Sequence, residues 1–310
     1  MTMLSRVAER LYWMARYLER AEDTARLVMA YQHIIMDIPK GSEPGWDVLI
    51  SILDANPVFN ERYRAANEQN VLKFLIADLD NVSSIPSSIK AARENVRTTR
   101  DVLPEEAWEM VNELYLYVDE MSEASVGRRN RHAFLEHVVS RCQMINGLLM
   151  SNLSRDHSYR FIKLGRLLER SDMITRVIDV GAGDILEREG AFEAIDPLLW
   201  GALLQGLSAM GAYRRAVGPL VEKDAVVEFV FSEQRFPRSV RFCLSGIREE
   251  LGPLRSNKDA LRVVERARRK LRRFDPNTAT REELHRFIDN FQVTLNDVSA
   301  AIIDTWFQPE

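Results

Sequence analysis

The sequence predicts an all-α chain, an internally duplicated helical bundle whose two halves of about 150 residues are related by a pseudo-twofold axis. Three observations lead there. Glycine and proline are sparse, at 14 and 11 of 310 residues. Apolar residues recur at steps of three and four over long stretches, and short motifs return in the same order about 150 positions later. No convincing period-2 pattern competes with the helical one.

The first element opens at Ser5, a residue suited to an N-cap. It carries Val7, Leu11, Met14, Leu18, Ala21, Ala25 and Val28 at alternating spacings of four and three, which is one long amphipathic helix. Helical periodicity continues over 71–80, 104–121, 132–153, 159–180, 197–213, 237–251, 258–274 and 280–307. Prolines mark several starts, in Ile85-Pro86, Leu103-Pro104, Asp196-Pro197 and Phe236-Pro237, because the first helical position needs no N–H donor. Breaks are expected at 39–44 and at Gly181-Ala182-Gly183-Asp184, where glycine or proline follows a long helix.

The repeat is the most informative feature. Arg16-Tyr17-Leu18-Glu19-Arg20-Ala21-Glu22 aligns with Arg166-Leu167-Leu168-Glu169-Arg170-Ser171-Asp172 at an offset of 150, and Met14, Leu18, Ala21, Ala25 and Val28 fall on Leu164, Leu168, Ser171, Thr175 and Ile178. Trp46, Leu49 and Leu53 match Trp200, Leu203 and Leu207 at offset 154, and Val71 to Phe74 resembles Val226 to Phe229 at 155. Pro86-Ser87-Ser88-Ile89 matches Pro237-Arg238-Ser239-Val240 at offset 151. The order implies two homologous halves, 1–153 and 154–310, each of about six helices, packed as one compact body because neither hides its apolar stripes alone.

Composition excludes several classes. With 42 basic and 46 acidic residues the net charge is −4, so no global field draws the chain to nucleic acid or to an anionic membrane. Arg6, Glu9 and Arg10 interrupt the apolar core a signal peptide needs, and no apolar run is long enough to span a bilayer; cytoplasmic residence is the expectation. Cys142 and Cys243 lie on apolar stripes without CxxC spacing and read as buried free thiols, not nucleophiles. No Walker loop, GxSxG or Gly-rich fingerprint is present, so no cofactor is predicted in this chain.

The stretch from Met3 to Glu22, MLSRVAERLYWMARYLERAE, resembles the bacterial alpha-E family, all-helical proteins named for a Glu-Arg motif. The second Glu-Arg copy at Glu169-Arg170, the Pro86 to Ile89 start with Ala92 to Asn95 behind it, and the Phe236 to Val240 segment extend the resemblance over essentially the whole chain. Asp23 stands where Asn is common in the family. The resemblance implies a companion of a circularly permuted ATP-grasp ligase-like protein, with transglutaminase-like or proteasome-like peptidases in the same peptide-modifying or amide-forming pathway. ATP and magnesium would belong to that ligase partner.

Candidate functional residues cluster on the repeated helix. Tyr12, Arg16, Glu19 and Asp23 lie at i, i+4, i+7 and i+11, with Trp13 and Arg20 on the adjoining strip. Glu19 and Arg20 point about 100° apart, so each needs a partner elsewhere, either locally at Arg16 and Asp23 or across the repeat, Glu19 with Arg170 and Glu169 with Arg20. Two readings stand open. In one the network is structural; in the other Arg16, Arg20, Arg166 and Arg170 form a cleft for a carboxylate or phosphate, oriented by Glu19 and Glu169, one of which would serve an enzyme as acid or base. Glu22 to Arg26 and Asp172 to Arg176 read as surface i,i+4 pairs.

Seven cations between Arg262 and Arg273, with Arg262, Arg266, Arg269 and Arg273 among them, form the polar face of an amphipathic helix. That face is either solvated or a docking strip for an acidic partner or a polyanion such as RNA, and the scarcity of aromatics weighs against base stacking. Glu282 and His285 make the only Glu-x-x-His, which Thr280 and Glu283 explain as a capping box; His33, His132, His137 and His157 have no ligand spacing, and no metal is expected.

Overall fold

In a computed structural model the described residues, 5–37, 45–186 and 196–308, fold into fourteen α-helices and one 3-10 turn, with no strand among them. Residues 1–153 hold α1 (Ser5–Asp37), α2 (Asp47–Ile52), α3 (Asn56–Arg62), α4 (Glu68–Ile76), α5 (Ile85–Arg97), α6 (Glu105–Ser125) and α7 (Arg128–Asn152). Residues 154–310 hold α8 (His157–Leu186), α9 (Asp196–Gly206), α10 (Met210–Ala216), α11 (Lys223–Ser232), α12 (Val240–Leu251), α13 (Lys258–Arg273) and α14 (Arg281–Trp306). Among the described residues each stretch therefore holds seven helices rather than about six, because α2, α3, α10 and α11 are too short for their period to stand out.

Local chemistry accounts for the starts. Ser84 caps α5 by accepting from Ser87 N–H at 3.2 Å, and Ser239 caps α12 by accepting from Phe242 N–H at 3.1 Å. Thr280 and Glu283 make both bonds of a capping box at α14. Pro86 and Pro197 sit in their helices' first turns, whereas Pro104 is itself the N-cap of α6 and Pro237 precedes α12, whose first turn begins only after Ser239.

Four other expectations are corrected. The helix expected over 197–213 is two, since Ser208 adopts φ 54 and closes α9 before α10 begins. The expected break at Gly181–Asp184 is absent, as α8 runs through it to Leu186; a glycine inside a helix costs about 1 kcal/mol, which does not by itself end one. α4 stops at Ile76, short of residue 80, and Ser5 lies within α1 rather than before it. The break expected at 39–44 lies outside the described residues.

The two longest helices, α1 and α8, pack against each other at the centre. Gly165 of α8 sits so close to the Tyr12 carbonyl of α1 that a Cβ there would overlap it, which fixes the point of closest approach. The stripes aligned by the repeat face inward on both helices, Met14, Leu18, Ala21, Ala25 and Val28 on one and Leu164, Leu168, Ser171, Thr175 and Ile178 on the other, all buried. Around α1 stand α5, α7 and α9; around α8 stand α12, α14 and α2. One continuous apolar cluster joins the helices from Ala8 to Phe307. No helix among the described residues is long and apolar enough to cross a membrane.

Candidate functional site

The α1–α8 crossing carries a lattice of buried ion pairs. Glu19, fully buried, takes a two-pronged contact from Arg170, Nε to Oε1 at 2.6 Å and Nη2 to Oε2 at 2.9 Å. Arg238, from the segment before α12, approaches the same carboxylate at 3.2 Å, donates to Asp23 Oδ1 at 2.6 Å and reaches Glu22 Oε1 at 2.7 Å. Glu22 also holds Arg26, at 2.8 Å.

The other Glu-Arg copy is satisfied from α1. Glu169 accepts from Arg16 Nε at Oε2 and from Arg20 Nε at Oε1, both at 2.6 Å. Arg16 Nη1 reaches Ser299 Oγ of α14 at 3.2 Å, and Ser299 also bonds the Tyr12 hydroxyl at 3.0 Å. Trp13 supports this corner with its ring 4.8 Å from the Arg16 guanidinium, and Tyr17 lies 5.6 Å under Arg20. Glu19 thus meets Arg170 and Glu169 meets Arg20 across the two helices; Arg16 bonds Glu169 rather than Glu19, and Asp23 bonds Arg238 rather than Arg20.

Arg166 stands apart. It aligns with Arg16, yet its buried Nε has no hydrogen-bond partner, and both oxygens of Glu19 are already taken, Oε1 by Arg170 and Arg238 and Oε2 by Arg170. Burial and the neighbouring Arg170 cation lower its pKa. An open four-arginine cleft is therefore not what the side chains form: Arg16, Arg20 and Arg170 each already close on a glutamate.

The carboxylates divide electrostatically. Burial pushes Glu19 up, but the Arg170 and Arg238 guanidiniums overcome it and bring its pKa down to about 2. Glu169 is lowered likewise, burial being outweighed by Arg16 and Arg20. Asp23 goes the other way, to about 7, because burial and the adjoining Glu19 and Glu22 charges outweigh Arg238, and its Oδ2 has no partner. Asp172, also buried, is raised with its Oδ1 unpaired. Each of these two acids has one oxygen that no donor stabilises.

The pairs expected on the surface are not there. Glu22 and Arg26, and Asp172 and Arg176, do bond at i,i+4, but Glu22 is buried and Asp172 largely so, because these faces of α1 and α8 lie under packed neighbouring helices. The residue that sequence reasoning missed is Arg238. Its signal was the substitution within the repeat, Arg238 where the first half has Ser87.

The basic face of α13 is solvent-exposed. Arg262 pairs with Asp259 and Arg266 with Asp297, whereas Arg269 and Arg273 are exposed and without a partner among the described residues. Both thiols are buried, and burial raises them, Cys243 to about 12. A mixed cluster the spacing did not reveal joins α8 and α14: His285 Nδ1 lies 2.7 Å from Asp179, and Asp289 completes a set with ligand atoms within 4.8 Å of one another. Two of those three residues are exposed, and the His–Asp pair accounts for the contact.

Residues 3–307 match the model of a family described as a predicted alpha-helical domain with a conserved ER motif. Uncharacterized proteins of Mycobacterium bovis and of two strains of Mycobacterium tuberculosis are each 21% identical over 331 aligned positions, covering 97% of this chain. The chain spans only 36% of the length of these relatives. No solved structure matches it.

Proposed function

The chain belongs to the Alpha-E family, and from that premise we propose that it acts as a scaffolding or co-catalytic companion of an ATP-grasp-type ligase in a bacterial, cytoplasmic pathway of peptide modification or amide-bond formation. The observation that carries the companion role is the closed state of the motif. Glu19 and Glu169 are saturated by guanidiniums, with Glu19 brought down to about 2 and Glu169 held below its ordinary value, so neither is available as acid or base near neutral pH. ATP and magnesium belong to the ligase, whose partnership rests on the family resemblance. The docking strip on α13, with Arg269 and Arg273 uncompensated, is the surface offered to an acidic partner.

In this reading the two stretches, 1–153 and 154–310, are a duplicated unit related by a pseudo-twofold axis. The support is the helix order, seven and seven, and the exchange at the centre, where α9 packs on α1 and α2 packs on α8. The motif pairs cross the same axis and fix the register of the halves.

The experiment is purification of the tagged protein from its native host, with mass spectrometry of what accompanies it, beside an Arg269→Ala, Arg273→Ala variant. A stoichiometric ligase-like partner lost in the variant supports the reading. A wild-type chain that purifies alone overturns it.

A further inference from the structure

A cavity of about 800 Å³ opens between α10, the end of α11 and the segment leading into α12. Its apolar wall is Phe229 and Phe236, whose rings stack with centroids 5.2 Å apart and planes 27° apart. At its rim stand Arg215 and Arg235, both exposed and neither guanidinium engaged by an acceptor among the described residues. Gln234, turned so that its oxygen accepts from Arg241 Nη2 at 2.8 Å, keeps its NH2 group as a further donor. The one acid on the lining, Glu233, accepts the Arg235 backbone N–H at 2.8 Å through Oε1, and its single charge is outnumbered by the two rim arginines. The cavity's unmet polar capacity is thus mainly that of donors and positive charge, beside an aromatic face.

The wall is also rigid. Ser239 Oγ donates to the Glu233 carbonyl, Arg170 Nη1 donates to the Pro237 carbonyl at 3.3 Å, and the next residue, Arg238, is buried on Glu19, Glu22 and Asp23. The lining segment is therefore held by the same side chains that join α1 to α8. A site so held binds without the ordering cost a mobile loop would add.

We propose that this cavity is a binding site for a small organic oxyanion, a carboxylate or phosphate ester with a flat apolar body. Arg215 and Arg235 hold the charged group in charge-assisted hydrogen bonds, and the Phe229–Phe236 wall takes the body. Its size lies within the usual range for small-molecule sites, roughly 300–1,000 Å³. The site is independent of the ligase partnership, which the test does not involve.

The test is calorimetric titration of the full chain at low salt with benzoate and with phenyl phosphate. Two variants accompany it: Arg215→Ala, Arg235→Ala, and Arg269→Ala, Arg273→Ala on the α13 strip, neither of which lines the cavity. The expected result is saturable binding of at least one probe, weakened about tenfold or more, about 1.4 kcal/mol, in the cavity variant and unchanged in the strip variant. The tighter probe identifies the oxyanion as carboxylate or phosphate. Because Arg215 and Arg235 are exposed, the cavity variant should melt with the wild type, so lost binding is not lost folding. No binding of either probe overturns the proposal, as does equal weakening in both variants, which would mark a diffuse attraction of anions to arginine.

Discussion

Glu19 on α1 and Arg170 on α8 stand 151 residues apart in the chain, joined by hydrogen bonds of 2.6 and 2.9 Å, and the glutamate has no exposed surface. Their contact spans the two stretches in which the motif recurs, and removing either member leaves the other charged and buried. Glu19→Gln and Arg170→Leu should each destabilise the fold by about 3–5 kcal/mol. In urea denaturation the double variant should recover at least roughly 1 kcal/mol relative to the sum of the singles. Additive losses would show that the two do not act as a pair.

The buried acids oppose each other in pH. Glu19, lowered to about 2, contributes stability above its ordinary pKa of 4.5 that is lost as pH falls toward 2. Asp23, raised from 3.8 to about 7, holds a proton in the folded chain that the unfolded chain has released, so its contribution is lost as pH rises through that window. Asp23→Asn should therefore melt higher relative to wild type at pH 8 than at pH 5. A difference in melting temperature that is the same at both values removes Asp23 as the titrating group.

Arg166 tests the asymmetry of the lattice. Its Nε is buried without a partner, so Arg166→Met should cost less than about 1 kcal/mol or should stabilise, unlike Arg170→Leu. Chemical denaturation compares them directly, and a loss from Arg166→Met as large as that from Arg170→Leu would contradict the arrangement.

Two glycines separate close approach from propensity. Gly165→Ala drives a methyl into the Tyr12 carbonyl and should cost about 1–3 kcal/mol or more by pushing α1 from α8. Gly147→Ala, within α7 and with nothing inside 4 Å of its added Cβ, should gain about 0.5–1 kcal/mol. Thermal melts of both variants read the contrast, and equal effects would refute it.

Arg238 anchors the cavity wall as well as the lattice. Replacing it with serine, the residue at the aligned position 87, removes the donor to Asp23 and Glu22 and should destabilise by about 3–5 kcal/mol. The same variant removes one cation from Glu19, so a second substitution, Arg166→Met, which takes away another cation acting on that carboxylate, should cost more in that background than alone. A urea-denaturation cycle on the two arginines measures this, and strict additivity would count against their coupling through Glu19.

The helical class, the bounds of α13 and α14 and the capping box at Thr280 were legible in the sequence because periodicity, caps and propensity act within a few residues of the chain. The repeat also pointed to partners for the Glu-Arg motif across the two long helices. What it did not show is how those partners are shared. The break at Ser208, at φ 54, and the passage of α8 through Gly181 and Gly183 are not set by residue type alone. Arg238 reaches Asp23 from 215 residues away, joins Arg170 on Oε1 of Glu19, and stiffens a cavity wall in doing so. Local sequence determines which residues carry charge and on which helix face. Which charges pair is a competition among side chains that only the folded chain brings within 3 Å of one another, since a buried carboxylate has few acceptor sites and the nearest donors fill them.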